Sequence, residues 1–79
     1  MTKQDIHERL TGIAVDLFKV PAATVMDLKV GMEPWDSMGH LELFMAIEGQ
    51  WGIKFTMDEI IRLSSLDEIV DNIAQKVGT

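Results

Sequence analysis

Two short signatures punctuate the second half of this chain: "TMDE" at Thr56–Glu59 and "SLDE" at Ser65–Glu68. In each, a hydroxyl residue is followed three positions later by a glutamate. That is the capping box, which starts a helix by satisfying two backbone N–H groups reciprocally. Apolar residues follow both: Ile60, Ile61 and Leu63 after the first, and Leu66, Ile69, Val70, Ile73, Ala74 and Val77 at helical spacing after the second. Two helix starts so close together predict a short helix and then a longer one.

The same spacing opens the chain. Ile6, Leu10, Ile13, Ala14, Leu17 and Phe18 predict an amphipathic helix, with Thr2 as its N-cap, Asp5 three residues on and Pro21 marking its end. From about Val20 to Trp35 no helix is predicted. Val25, Met26, Leu28, Val30 and Met32 mark that stretch as a long loop packed onto the core, punctuated by Pro21, Gly31 and Pro34. So long a loop in a small domain calls for a topological or functional reason. A further helix is predicted over about Ser37–Gln50, closed by Gly52. "GIKF" at Gly52–Phe55 is too short to count as a strand. The expected fold is all-α: a small four-helix bundle of three longer helices and one short one, in a single domain spanning 1–79.

Composition narrows the function classes. No cysteine is present among the 79 residues, which removes disulfides, thiolate metal sites and cysteine nucleophiles. A net charge of −6 opposes nucleic-acid binding, where Lys and Arg supply most of the affinity, and suits docking on basic protein surfaces. No apolar stretch approaches the ~20 residues that span a bilayer, and no signal-peptide pattern opens the chain. A cytoplasmic monomer with no membrane span is expected.

The start of the second helix, "WDSMGH" at Trp35–His40, differs from the others. Its third helical position is Gly39 or His40, so no carboxylate completes a box. Ser37 is expected to lie exposed there, with few side chains competing for the first amides. Such amides, with the positive end of the helix dipole, suit a phosphate. Glycine in a helix costs about 1 kcal/mol relative to alanine, so Gly39 is expected to leave room for that phosphate or a close partner. On a helical wheel, Gly39, Leu43, Ala46 and Ile47 share a core-facing side. Met38, Leu41 and Met45 form a second apolar stripe interleaved with Glu42 and Glu48, the pattern of a partner-docking face. His40 is expected in solvent or at that face. A Ser37–His40 hydrolase would also need an orienting acid and an oxyanion hole, for which the sequence offers no convincing pocket.

Asp36-Ser37-Met38, "GHLELFMAIE" (Gly39–Glu48), "WGIKF" (Trp51–Phe55) and "DEI" (Asp58–Ile60) together resemble the acyl carrier protein family. Length, acidity, helix order and the long first loop extend the resemblance over nearly the whole chain. It implies a carrier, not an enzyme. Ser37 would bear a covalent 4′-phosphopantetheine arm, installed from coenzyme A by a phosphopantetheinyl transferase, with Asp36 and Met38 completing the attachment motif. The arm's thiol would hold acyl groups as thioesters for fatty-acid, polyketide or other specialised biosynthesis. Met38, Leu41, Glu42, Met45 and Glu48 would dock the acyl-loading and acyl-processing enzymes through their basic surfaces. Met38 stands where the family usually has leucine, and Gly39 and His40 where fatty-acid carriers are often acidic or polar. "WDSMGHL" looks more like freestanding carriers of specialised pathways. "DSMG" is also similar to D-alanyl carrier proteins, so a D-alanyl, aminoacyl or peptidyl carrier remains an alternative, as does an unmodified helical adaptor.

Overall fold

Helix starts lay out the architecture. The computed structural model describes residues 2–78, and the Met26 side chain, assigned to the packed loop above, lies outside the described part. Helix α1 (Lys3–Phe18) opens on a reciprocal box in which the Asp5 amide donates to Thr2 Oγ1 and the Thr2 amide donates to the Asp5 carboxylate. It ends at Lys19, held in the left-handed region at φ 58°. Helix α2 (Ser37–Trp51) is closed by Gly52, whose φ of 66° a side chain would resist. Helix α3 (Met57–Arg62) begins at the Thr56–Glu59 box as the sequence predicts. Helix α4 (Leu66–Val77) is capped by Ser65, but Glu68 reaches back to the Ser64 amide instead of the Ser65 amide, so this start is not a reciprocal box.

These four α-helices, with no strand among the described residues, make the expected small all-α bundle. α1 lies against both α2 and α4 and also packs on a 3₁₀ segment, Ala22–Asp27, inside the long connection. That segment carries no apolar period long enough to have been predicted. The core joins Ile6, Leu10 and Ala14 of α1 to Leu43, Phe44 and Ile47 of α2 and to Ile69, Ile73 and Ala74 of α4. The connection adds Val25, Leu28 and a fully buried Trp35, whereas Val30 and Met32 are exposed and do not join the packed part.

One expected core position is wrong. Ala46 is exposed, and Phe44 and His40 take its place, so the inward side of α2 is Gly39, His40, Leu43, Phe44 and Ile47. The helix is rotated relative to the expected wheel because Trp35, in the loop, supplies a partner for His40 that periodicity could not foresee.

α3 buries no residue completely. With Ile60 and Leu63 only half-buried, polar ties do much of the work of holding it. Glu59 accepts from the Thr56 amide at 2.8 Å, from Lys76 Nζ of α4 at 2.9 Å and from Asn72 Nδ2 of α4 at 3.4 Å. Lys76 Nζ also stands 5.1 Å from the centre of the Phe55 ring. The Thr56 amide first, then Lys76 and Asn72, hold the Glu59 carboxyl down to about 2 against its usual 4.5. The cap hydroxyl of Ser65 and the Thr2 amide hold Glu68 and Asp5 below their usual values in the same sense.

A carboxyl whose pKa is lower in the folded than in the unfolded chain binds its proton less readily when folded. The stabilisation from Glu59 is therefore complete above about 4.5 and is lost as the pH falls towards about 2. Urea unfolding across that window should show stability falling with pH, and Glu59→Gln should flatten the slope while lowering stability at neutral pH. An unchanged slope in the variant would remove Glu59 as the source.

Candidate functional site

The end of the long connection and the first turn of α2 form one fixed unit. The Trp35 amide donates to the Met32 carbonyl at 2.7 Å, and the Trp35 carbonyl accepts from the Gly31 amide at 2.9 Å. The indole then reaches forward, and its Nε1–H donates to His40 Nδ1 at 3.0 Å. His40 Nε2 lies 2.5 Å from the Ile60 carbonyl of α3. An indole N–H only donates and a carbonyl only accepts, so Nδ1 must carry the lone pair and Nε2 the proton. The neutral Nε2–H tautomer is the form that satisfies both partners.

His40 is thus not the solvated or docking residue expected from the sequence. Its residue is 8 % exposed, and its ring sits in an aromatic file that runs Phe18, Trp35, His40, Phe44, Phe55, with neighbouring centroids 4.8–5.8 Å apart. Both ring nitrogens are committed, so His40 offers no base to Ser37.

Asp36 and Gly39 complete the turn. Asp36 is the N-cap, and its Oδ1 accepts from the Gly39 amide at 2.7 Å. The helix start is therefore less bare than expected, since one of the first amides is already occupied by a carboxylate. The Ser37 and Met38 amides are left without an intrahelical partner. Gly39 has a structural reason that differs from the expected one. A Cβ at this position would stand 3.0 Å from Phe18 Cε1, 3.1 Å from Asp36 Oδ1 and 3.4 Å from the Pro34 carbonyl oxygen. The glycine makes room for the α1 aromatic and for the capping carboxylate.

Ser37 itself is exposed at the first position of α2, and among the described residues nothing engages its Oγ. Beside it runs the second stripe: Met38 is 70 % exposed, Leu41 48 % and Met45 71 %, with exposed Glu42 among them. Glu48 leaves that set. It is half-buried, and its Oε2 accepts from the Phe55 amide at 2.9 Å, which ties α2 to the start of α3. Two residues of α3, Met57 at 65 % and Ile61 at 71 %, are large apolar side chains left exposed; Ile61 is one of the apolar residues that follow the Thr56 box, whereas the sequence gives Met57 no expected role.

Next to Ser37, on the α1 side, lies a cleft of about 230 Å³. Leu17, Phe18, Pro34, Met38 and Gly39 form its walls, and the carboxylates of Asp36 and Glu42 stand among them. No three His, Asp or Glu side chains gather as a metal site requires among the described residues, and none of the described helices is long and apolar enough to cross a membrane. No protein-family model matches the chain, and no solved structure matches it.

Two substitutions test this unit. His40→Phe keeps the ring but strands the buried Trp35 N–H and the Ile60 carbonyl. An unpaired buried donor or acceptor costs about 1–3 kcal/mol, so urea unfolding should show a loss of at least that size. Stability equal to wild type would mean that the two bonds contribute nothing. Gly39→Ala sets two effects against each other: alanine gains about 1 kcal/mol in helix propensity, while overpacking costs about 1–3 kcal/mol. Because the Phe18 ring and the bonded Asp36 carboxylate have little room to yield, the variant should be less stable than wild type. A stabilised Gly39→Ala protein would show that they do yield.

Proposed function

We propose that this protein is an acyl carrier, working as a cytoplasmic monomer, with Ser37 as the attachment point of a 4′-phosphopantetheine arm. The observation that carries the reading is the setting of Ser37. It is an exposed, unengaged hydroxyl at the first position of a helix whose preceding residues are locked, beside an exposed apolar stripe. An adaptor would need the stripe but not the serine.

The residues present fit the group. A phosphodiester on Ser37 Oγ would meet the positive end of α2 and the two amides that Asp36 leaves free. In the attachment step, Ser37 Oγ attacks the β-phosphorus of coenzyme A. The new O–P bond replaces the bond to 3′,5′-ADP, which departs, and the hydroxyl proton passes to a base of the transferase. The arm then supplies a thiol on which acyl groups are held as thioesters. The body of the protein contributes recognition: Met38, Leu41, Glu42 and Met45 form the docking face, and Met57 and Ile61 are further exposed apolar side chains, on α3. Glu42 and the overall negative charge favour enzymes with basic surfaces and speed the encounter more than they tighten it. Tethering raises the effective concentration of the cargo at each docked enzyme.

Incubation with coenzyme A, magnesium and a broad-specificity phosphopantetheinyl transferase should add the mass of one phosphopantetheine, and Ser37→Ala should abolish the gain. Folded wild-type protein that gains no mass would overturn the carrier reading and leave the adaptor.

A further inference from the structure

Methionine supplies much of the apolar surface that this protein leaves in solvent. Of the seven large apolar side chains exposed among the described residues, four are methionines: Met32, Met38, Met45 and Met57. The described core holds none, being built of Ile, Leu, Val, Ala, Phe and Trp. Surface and core therefore differ in chemistry, because a thioether in water is open to an oxidant and an aliphatic core is not. The chain has no cysteine to intercept that oxidant first. Trp35 is fully buried, with its N–H engaged by His40. Met38 and Met45 have a further property. They lie seven residues apart on α2, roughly two turns, so both fall on the stripe that Leu41 completes beside Ser37.

We propose that Met38 and Met45 form an oxidation switch: a peroxide-class oxidant converts both to sulfoxides, and the protein then docks its enzymes more weakly while keeping its fold. The proposal rests on the carrier reading above, in which this stripe is the docking face. In the step, a lone pair of the thioether sulfur attacks one peroxide oxygen. The O–O bond breaks, an S–O bond forms, and after proton transfer the second oxygen leaves as water. Sulfur loses two electrons and the peroxide gains them. The product is a polar, chiral side chain in place of a flexible apolar one, and flexibility is what suits methionine to surfaces that meet several partners. To enter a dry interface a sulfoxide must shed its water, which the thioether need not do. The fold itself is spared, because neither side chain belongs to the core. Thiol-dependent methionine sulfoxide reductases reverse the change: two thiols become a disulfide, and the oxygen departs as water.

The test uses the full chain before any arm is attached, treated with hydrogen peroxide, freed of it and mapped by peptide mass. One added oxygen is expected at each of Met32, Met38, Met45 and Met57. Arm installation from coenzyme A, which brings the transferase onto Ser37 beside Met38, should then fall on the order of tenfold in kcat/KM. The urea midpoint should stay where it was, and the reductases should restore the rate. A double variant, Met38→Leu with Met45→Leu, still oxidised at its remaining methionines, should keep its own unoxidised rate. Met38 and Met45 that resist peroxide while Met32 reacts would overturn the switch at its first step. Oxidised wild type that takes the arm as fast as before would overturn it and leave the carrier reading standing. An equal loss in the double variant would move the effect off α2, and a lowered urea midpoint would trace it to unfolding; either overturns the switch. Unoxidised protein that takes no arm would overturn the carrier reading, and the switch with it.

Discussion

The bond from the Trp35 indole to His40, and from His40 on to the Ile60 carbonyl, is the constraint on which the other parts of this fold depend. It joins three pieces that sequence separation keeps apart: the end of a long loop, the second turn of α2, and a short helix with little apolar surface of its own. Burying an indole of this size contributes on the order of 2–3 kcal/mol. Its N–H must find a partner for that gain to survive. His40 provides the partner, and only in one tautomer. The same ring spends its other nitrogen on α3, so the loop and α3 share one hinge pin.

The rest of the Ser37 environment follows from that pin. With Trp35 held inside, Asp36 falls into the extended cap conformation and its carboxylate takes the Gly39 amide. With Phe18 stacked near Trp35, the helix must present a residue without a side chain at position 39. The glycine that looks costly for α2 alone is thus the least costly residue for α2 against α1. Local helix stability is sacrificed for close approach of the two helices, and the serine two residues earlier stays outside that contact.

Most of the architecture was legible because it was written in local chemistry. The Thr2–Asp5 and Thr56–Glu59 boxes, Gly52 and the period of α4 each act over a few residues, and each did what its sequence says. The exposure of Met38, Leu41 and Met45 was legible for the same reason. What escaped depended on contacts made at long range. His40 looked polar and hence external, because nothing local reveals an indole donor folded back from the loop. Ala46 looked internal because the wheel was phased without Phe44 and His40 as inward residues. Glu48, expected on the second stripe beside Glu42, is half-buried because the Phe55 amide, across the turn, donates to its carboxylate.

Two side chains, Met38 and Glu42, belong at once to the exposed stripe of α2 and to the lining of the cleft beside α1. A body that lands squarely on the stripe therefore also roofs the cleft, and anything lodged in the cleft narrows the landing ground. The two occupancies compete for the same few square ångströms. Covering the stripe and closing the cleft are therefore one geometric event seen from two sides, because the same two side chains, Met38 and Glu42, belong to both surfaces.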